Sequence, residues 1–541
     1  MRHLGMAFFV IVTMASPAAG MPPGDPGEAT DAASVPADPG ERERFLLDRI
    51  EKLEKRVSEL ESSGAGRAGG LTLAGSTPTE TAPASAAGPQ QRPPVAVTPV
   101  SVSPEQPQSP AAITSQDTER PAKPEPFAFA DFTWLTGNSR QKEFPLAGKV
   151  LSGEFRVDAA YTYSFNQPKD DTIGGSTEVF RHNELQLTDL AFGGDLDWHN
   201  VRGRLLAQYG MYSQTQPRND ASPGRGQYNL DSAYRYIGEA NGGYHIDALN
   251  GINIDAGIFL SYIGLFSFYQ YDNWAYQPSY VSSNTPWYFQ GIRVQVFTSD
   301  KLKIEPWIIN GWQSYGKFNK APGVGGQVLW RPNGSLSIVS NNYWGTDTLG
   351  NPDRKRIHTD DSIQFKYLDD PGSLLSKAAA TLTIDAGCEY GGGVSCSGGT
   401  AASPSQYFLG FMVYNRFWFD HDRFALTLGG GYIDNPGRYL VLLPPINGAT
   451  AFSGTPYFTQ NPGNQFKAWD TSLTFDYMPL EFITFRLEYN HRASNVPYFS
   501  GPGGITPPGG NEGPPGSLVP GFTPDLVKSE NRMTSALLVK F

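Results

Sequence analysis

The chain has 541 residues, 53 acidic against 42 basic side chains, 13% aromatics, 60 Gly and only 2 Cys. The acidic excess excludes the basic stripe of a nucleic-acid binder, and the aromatic content excludes a wholly disordered chain. No apolar run reaches the ~18 residues of a membrane helix, which leaves a membrane β-barrel open, because its strands are only half apolar.

In chain order, Arg2 and His3 precede an apolar run over 4–14 and the small-residue stretch Ser16-Pro17-Ala18-Ala19-Gly20. This reads as a secretory signal peptide, residues 1–20. Residues 21–40 are rich in Pro, Gly, Ala and Asp and are expected to be disordered. Over 41–62, Ile50 and Val57 fall at a, and Leu46, Leu53 and Leu60 at d, of a heptad seam. Arg49 and Arg56 at g then face Glu54 and Glu61 at e, as a parallel coiled coil requires. The other reading is one amphipathic helix lying on the barrel. Three heptads are marginal alone, so a coil here implies a homo-oligomer that holds its strands together. Residues 63–125, rich in Pro, Ala, Ser, Thr and Gly, make a flexible spacer.

From 126 to the end the pattern is β. Phe155, Val157, Ala159, Tyr161, Tyr163 and Phe165 alternate with Glu154, Arg156, Asp158, Thr162 and Ser164. Sixteen strands are expected, near 148–165, 184–194, 200–212, 233–246, 252–263, 286–298, 302–313, 325–332, 335–344, 358–367, 375–385, 405–419, 422–433, 465–477, 481–491 and 531–541. Their connections alternate short and long. The short ones carry turn formers, such as Asp195-Leu196-Asp197, Asn250-Gly251, Asn333-Gly334 and Met478-Pro479. This is the signature of an all-β, up-and-down transmembrane barrel. An even strand count puts both chain ends, and any coil, on the periplasmic, short-turn rim. The last strand presents Ser535, Leu537, Val539 and the terminal Phe541 on one face, a pattern that outer-membrane assembly machinery engages.

Enzyme chemistry finds little support. No G-x-S-x-G, H-E-x-x-H, C-x-x-C or Gly-rich phosphate loop is present, and the 7 His are scattered, so neither metal nor cofactor is expected. His491 and Ser494 are the only neighbours a barrel-embedded hydrolase could use. Cys388 and Cys396 share one expected outer loop and read as a disulfide in an oxidising compartment, against two free thiols. If Val201, Leu205 and Tyr209 face lipid, the same phase places Arg156, Arg202, Arg204, Arg293, Lys366, Arg416 and Arg486 in the lumen, with Glu154, Asp158, Asp476 and Glu488. They read either as solvated lumen pairs or as a basic ladder for anions and polar solutes. The third long connection, 264–285, carries Phe266, Tyr269, Tyr271, Asp272, Trp274 and Tyr276. Those aromatics could be a stacking track for ring-bearing solutes or simply packing against the wall.

The stretches Asp255-Ala256-Gly257-Ile258-Phe259, Ile263-Gly264, Asn273-Trp274-Ala275-Tyr276 and Pro286-Trp287-Tyr288-Phe289-Gln290-Gly291-Ile292-Arg293 resemble the OmpL-like β-barrel porin-2 family. Leu265 departs from it, standing where an acidic residue is expected. The resemblance implies a bacterial outer-membrane pore, whose third loop commonly folds inward, set in outer-membrane lipid. The expectation is therefore a passive porin for small polar solutes and ions, with a periplasmic coil within reach of peptidoglycan. The alternative is a plugged barrel acting as an envelope anchor or binding protein, although no separate plug domain is visible in the sequence.

Overall fold

The computed structural model describes residues 125–174, 179–400, 405–437, 465–506 and 522–541, together with Lys55. The expected signal peptide, the 21–40 stretch, the coil (Lys55 aside) and the spacer up to 124 lie outside the described residues.

The first eight strands are β1 (Leu151–Ser164), β2 (Leu185–Trp198), β3 (Val201–Tyr209), β4 (Ile237–Ile246), β5 (Ile252–Leu260), β6 (Tyr288–Ser299), β7 (Leu302–Ile309) and β8 (Gly323–Asn333). They are followed by β9 (Leu336–Gly345), β10 (Lys355–Asp369), β11 (Leu375–Tyr390), β12 (Tyr407–Phe419), β13 (Phe424–Asn435), β14 (Phe466–Leu480) and β15 (Ile483–Ser494). Two short strands, β16 (Phe499–Ser500) and β17 (Leu526–Val527), pair with each other, and β18 (Ser529–Lys540) ends the chain. All but β16 and β17 form one closed antiparallel barrel, in which β18 lies between β15 and β1. Closure leaves no backbone edge to hydrogen-bond with lipid, which offers no partner.

Each of the sixteen expected segments overlaps one barrel strand. Alternation decides direction: Val201, Leu205 and Tyr209 are 58%, 53% and 39% exposed on the outer face, while Arg204 is 4% exposed inside. The short rim turns so tightly that His199 and Asn200, between β2 and β3, both take positive φ, +51° and +65°. The first and last barrel strands, β1 at Leu151 and β18 at Lys540, begin and end on that rim, where Phe541 N–H donates to Phe155 O at 2.9 Å.

Four expectations are corrected. Asp195-Leu196-Asp197 is not a turn, because β2 runs through it to Trp198 and the chain reverses at His199-Asn200. The barrel does not begin near 126, since its first strand starts at Leu151. Met478-Pro479 is not a turn: β14 runs through it to Leu480, and a register shift between Tyr477 and Leu480 accommodates a proline that cannot donate to the ladder. Cys388 lies in β11 rather than in a loop, pairing with Tyr407 across the ladder. It is bonded to Cys396, with Cα atoms 5.3 Å apart.

Gly350 sits in the long connection between β9 and β10 with open space around it. A peptide tag inserted there is expected to bind antibody on intact cells. A tag at Gly372, in the β10–β11 turn, should be reached only after the outer membrane is permeabilised. The reverse labelling would invert the topology.

Candidate functional site within the barrel lumen

Loop 3, residues 261–287, folds into the lumen. At its neck Gly264 has φ +104°, and a Cβ there would lie 2.8 Å from Thr285 Oγ1, where the chain returns. Only glycine lets the two arms approach so closely. Inside, a 3-10 turn (Gln270–Asp272) and a short helix (Tyr280–Ser283) break up a backbone that must find partners away from bulk water.

Those partners are inward charges of β14, β15, β18 and β1. Arg486 donates to both Asp476 oxygens at 2.7 and 2.9 Å, and also to Gln270 O at 3.1 Å and Asn273 O at 2.7 Å. Arg416, across on β12, pairs with the same Asp476 at 2.7 Å and donates to Trp274 O at 3.3 Å. Glu488 accepts the N–H groups of Tyr276 and Gln277 at 2.6 and 2.8 Å. Asp470 accepts Tyr280 N–H at 2.9 Å and Ser279 Oγ at 2.8 Å, while Arg492 donates to Pro278 O. Asp272 is held by Arg156 at 3.3 Å and Lys540 at 3.2 Å. Arg492, Asp470 and Lys540 were missed in the sequence, although strand parity with Arg486 and Asp476 marks the first two as inward.

The loop's aromatics are packed as well. Phe266 meets Tyr414 edge-on at 4.9 Å, and Trp274 meets Trp418 edge-on at 5.6 Å. The Arg156 guanidinium lies 3.8 Å above the Tyr269 ring. Tyr271 donates its hydroxyl to Glu481 O, and Tyr276 donates to Asp158 at 2.9 Å.

Four other inward cations are also paired. Arg204 bonds Glu154, Asp195 and Glu239, each at 2.8 Å. Arg202 and Arg293 share Asp255, at 3.3 and 3.0 Å, and Lys366 pairs with Asp369. Sequence separates these residues widely; the barrel brings opposite charges side by side. His491 and Ser494 stay apart chemically: His491 Nδ1 meets Asn531 Oδ1 at 2.8 Å, whereas Ser494 Oγ donates to Val496 O at 2.6 Å.

A second insertion enters from the short-turn rim. Residues 127–141, expected as the start of the barrel, form instead a strap across its mouth. Phe127, Phe132, Trp134 and Leu135 are at most 3% exposed. Phe127 N–H donates to Asp300 O at 2.8 Å and Trp134 Nε1 to Gly334 O at 3.0 Å. At the other end Arg140 donates to Thr484 Oγ1 at 2.6 Å, and Lys142 N–H to Glu481 at 2.6 Å. The strap thus spans from the β6–β7 turn to the β14–β15 turn. Strands β7 to β14 lie on one side of that line, and β15, β18 and β1 to β6 on the other. It follows a diameter. Midway it touches loop 3: Gly137 N–H donates to Asp272 O at 2.6 Å, and Trp274 Nε1 to Trp134 O at 3.2 Å. On the strap, burial works against the charge of Asp131, but the Thr133 N–H at 2.9 Å and hydroxyl, with Lys377 and Lys142, hold its carboxyl below the usual range.

Against the wall of β5 to β8, loop 3 leaves a cavity of about 70 Å³, lined by Phe268, Trp287, Arg293, Glu305 and Gln327, with Gly137 of the strap.

A closed sixteen-stranded barrel with an inward third loop is a porin architecture, and the comparisons with known proteins decide the family. The description "Putative beta-barrel porin-2, OmpL-like" matches residues 152–512. The chain belongs to this family. It is an outer-membrane channel for solutes. Comparison with the curated proteins gives no match. Among solved structures this porin is similar to the outer-membrane channel DcaP of Acinetobacter baumannii: 11% identity, 72% of this chain and 97% of that one covered, TM-score 0.43. It is also similar to the anion-selective porin from Comamonas acidovorans (10% identity, 72% and 99% covered, TM-score 0.41). OprB of Pseudomonas putida gives 11% identity, 72% and 94% covered and TM-score 0.41.

Replacing Arg486 by Ala removes the two hydrogen bonds it donates to loop-3 carbonyls and leaves Asp476 to Arg416 alone. Breaking such a buried pair costs roughly 3–5 kcal/mol, so the folded barrel should unfold at a clearly lower temperature on semi-native gels. Arg181→Ala breaks the half-exposed pair with Glu184 and one 3.3 Å hydrogen bond to Asp170 O and should cost about 1 kcal/mol or less. Equal shifts for the two variants would show that Arg486 does not pin the loop.

Proposed function

We propose that this porin works passively: small polar solutes and ions diffuse along the side of the lumen that loop 3 leaves open, against β5 to β8. The observation that supports this is the lopsided filling of the barrel. Most polar pins of loop 3 sit on β12, β14, β15, β18 and β1. Tyr276 also meets Thr188 of β2, and Tyr262 at the neck is held by Gln327 of β8 and Asn342 of β9. The cavity borders the wall of β5 to β8. Because Arg202, Arg204, Arg293 and Lys366 are each paired with a carboxylate, a passing ion meets both signs at short range and is weakly selected. In this reading the N-terminal chain reaches into the periplasm, with peptidoglycan within reach of its coil. The coil joins copies of the chain into a homo-oligomer, and the β18 pattern is what the assembly machinery engages. One observation favours the second reading, a plugged barrel that anchors or binds through its periplasmic coil: the strap crosses the short-turn mouth on a diameter.

Conductance of the full chain in planar bilayers under a salt gradient separates the two. The porin reading expects discrete steps with a reversal potential close to zero, and a higher unitary conductance when residues 127–139 are removed. Silence from folded full-length protein, with steps only from the shortened variant, would support the plugged reading. A strongly anion-leaning potential would mean that paired arginines still set selectivity.

A further inference from the structure

The lipid-facing surface of the barrel is uneven. On β14, β15, β18 and β1 it carries exposed Leu473, Phe475, Phe485, Leu487, Leu537 and Phe155. Across β7 to β11 the outer face is apolar too, with Ile304, Val328, Ile357, Ile363 and Ile384 exposed, but one row interrupts it. The hydrogen-bonded row Pro306, Gly326, Asn342, Thr359, Ala386 crosses five strands without one large apolar side chain. In the adjoining row Ser340 stands beside Asp361. Asp361 and Asn342 are both exposed. Thr359 Oγ1 donates to Asp361 Oδ2 at 2.9 Å, and Asn342 Nδ2 reaches Ser340 Oγ at 3.5 Å.

Depth makes this patch costly in lipid. Asp361 projects from the same face of β10 as Ile357 and Ile363, which flank it and are 51% and 40% exposed. A carboxylate between two membrane-facing isoleucines sits within the apolar belt, where acyl chains offer neither hydrogen bonds nor countercharge. The outward pair Lys467–Asp434 lies at the strand ends and is neutralised within itself, whereas Asp361 has no cation beside it among the ion pairs of the described residues. The outer position of Asp361 needs a polar cover.

We infer that a second copy of this chain covers the outer face of β8 to β10. The inference rests on the homo-oligomer proposed above and names the surface through which it packs. Two features select a copy of the chain over another partner. The patch is self-complementary: the Asp361 carboxylate accepts, and the Asn342 amide and the Ser340 and Thr359 hydroxyls donate, as a symmetric interface requires. The heptad seam of Leu46, Ile50, Leu53, Val57 and Leu60 is an independent self-association signal in the same chain. Pro306, Gly326 and Ala386 keep the row low, so the two backbones can approach closely, as small residues allow between membrane helices.

The experiment places the photoreactive residue p-benzoyl-phenylalanine at Asn342 of the full-length protein in its own outer membrane, and at Leu473, five strands round the barrel, as the control. Irradiation at position 342 is expected to give a product of twice the chain mass whose cross-linked peptides all come from this sequence. Position 473 should give lipid adducts. Adducts to lipid alone at 342, or to a different protein, would overturn the assignment. Light scattering of the unmodified protein in mild detergent separates the two levels: an oligomer without a cross-link at 342 puts the interface on another face, and a monomer removes the homo-oligomer as well. Asn342→Trp, which leaves the lumen untouched, should shift the oligomer towards monomer with unitary conductance unchanged; an unaltered oligomer would also count against this face.

Discussion

Once sixteen antiparallel strands close on themselves, no side chain chooses its own side. Every second residue must face lipid and every other one the lumen, so charges excluded from the belt accumulate inside. That accumulation shapes the rest of the molecule. Arg486, Arg416, Asp476, Glu488 and Asp470 occupy a narrow space of low polarity, where an unpaired charge is expensive. Each finds a partner, either an opposite charge from a neighbouring strand or a backbone group of loop 3. The loop in turn brings carbonyls and N–H groups that have left the β-ladder and need satisfying. Wall and loop therefore solve one another's problem. The result is a fixed insertion, hydrogen-bonded along its length.

The strap extends the same logic to the short-turn mouth. Its apolar side chains, Phe127, Phe132, Trp134 and Leu135, join the cluster that includes Trp274, Tyr414 and Trp418. Its backbone is tied to turns on opposite sides of the ring. Loop 3 and the strap meet at Asp272 and Trp274, so the chain before the barrel and the inward third loop share one packed centre. A perturbation of either should be felt by the other through Gly137 and Trp134, which lie between them.

What could be read from the sequence follows from how local each signal is. A period of two over ten residues is local, and all sixteen strands were legible with their facing, as Val201 and Arg204 illustrate. Turn chemistry is local too, but it was overruled at Met478-Pro479, where a bulge carried the strand two residues further. The strap was not legible as a strap. Its aromatics resemble those of a strand, and its decisive contacts, Trp134 to Gly334 and Arg140 to Thr484, span 200 and 344 residues. Parity found seven inward cations, from Arg156 to Arg486, and missed Arg492 and Lys540; it found none of their partners as partners. Parity reports the face and says nothing about which neighbour shares it.

This last gap matters for how a porin's selectivity is inferred. Counting inward arginines suggests a positive lumen. Pairing changes the quantity that counts, because Arg204 among Glu154, Asp195 and Glu239 presents a cluster whose field falls off quickly in salt solution. Arg202 and Arg293 around Asp255 behave alike. On the passage proposed above, what a solute senses is the balance at the surface it brushes, the wall of β5 to β8 with Arg293 and Glu305, faced by Phe268 and Trp287 of loop 3. Selectivity in such a channel is set by which charges remain at the passage once loop 3 has taken its share. Two barrels with the same inward residues but different third loops should therefore select differently.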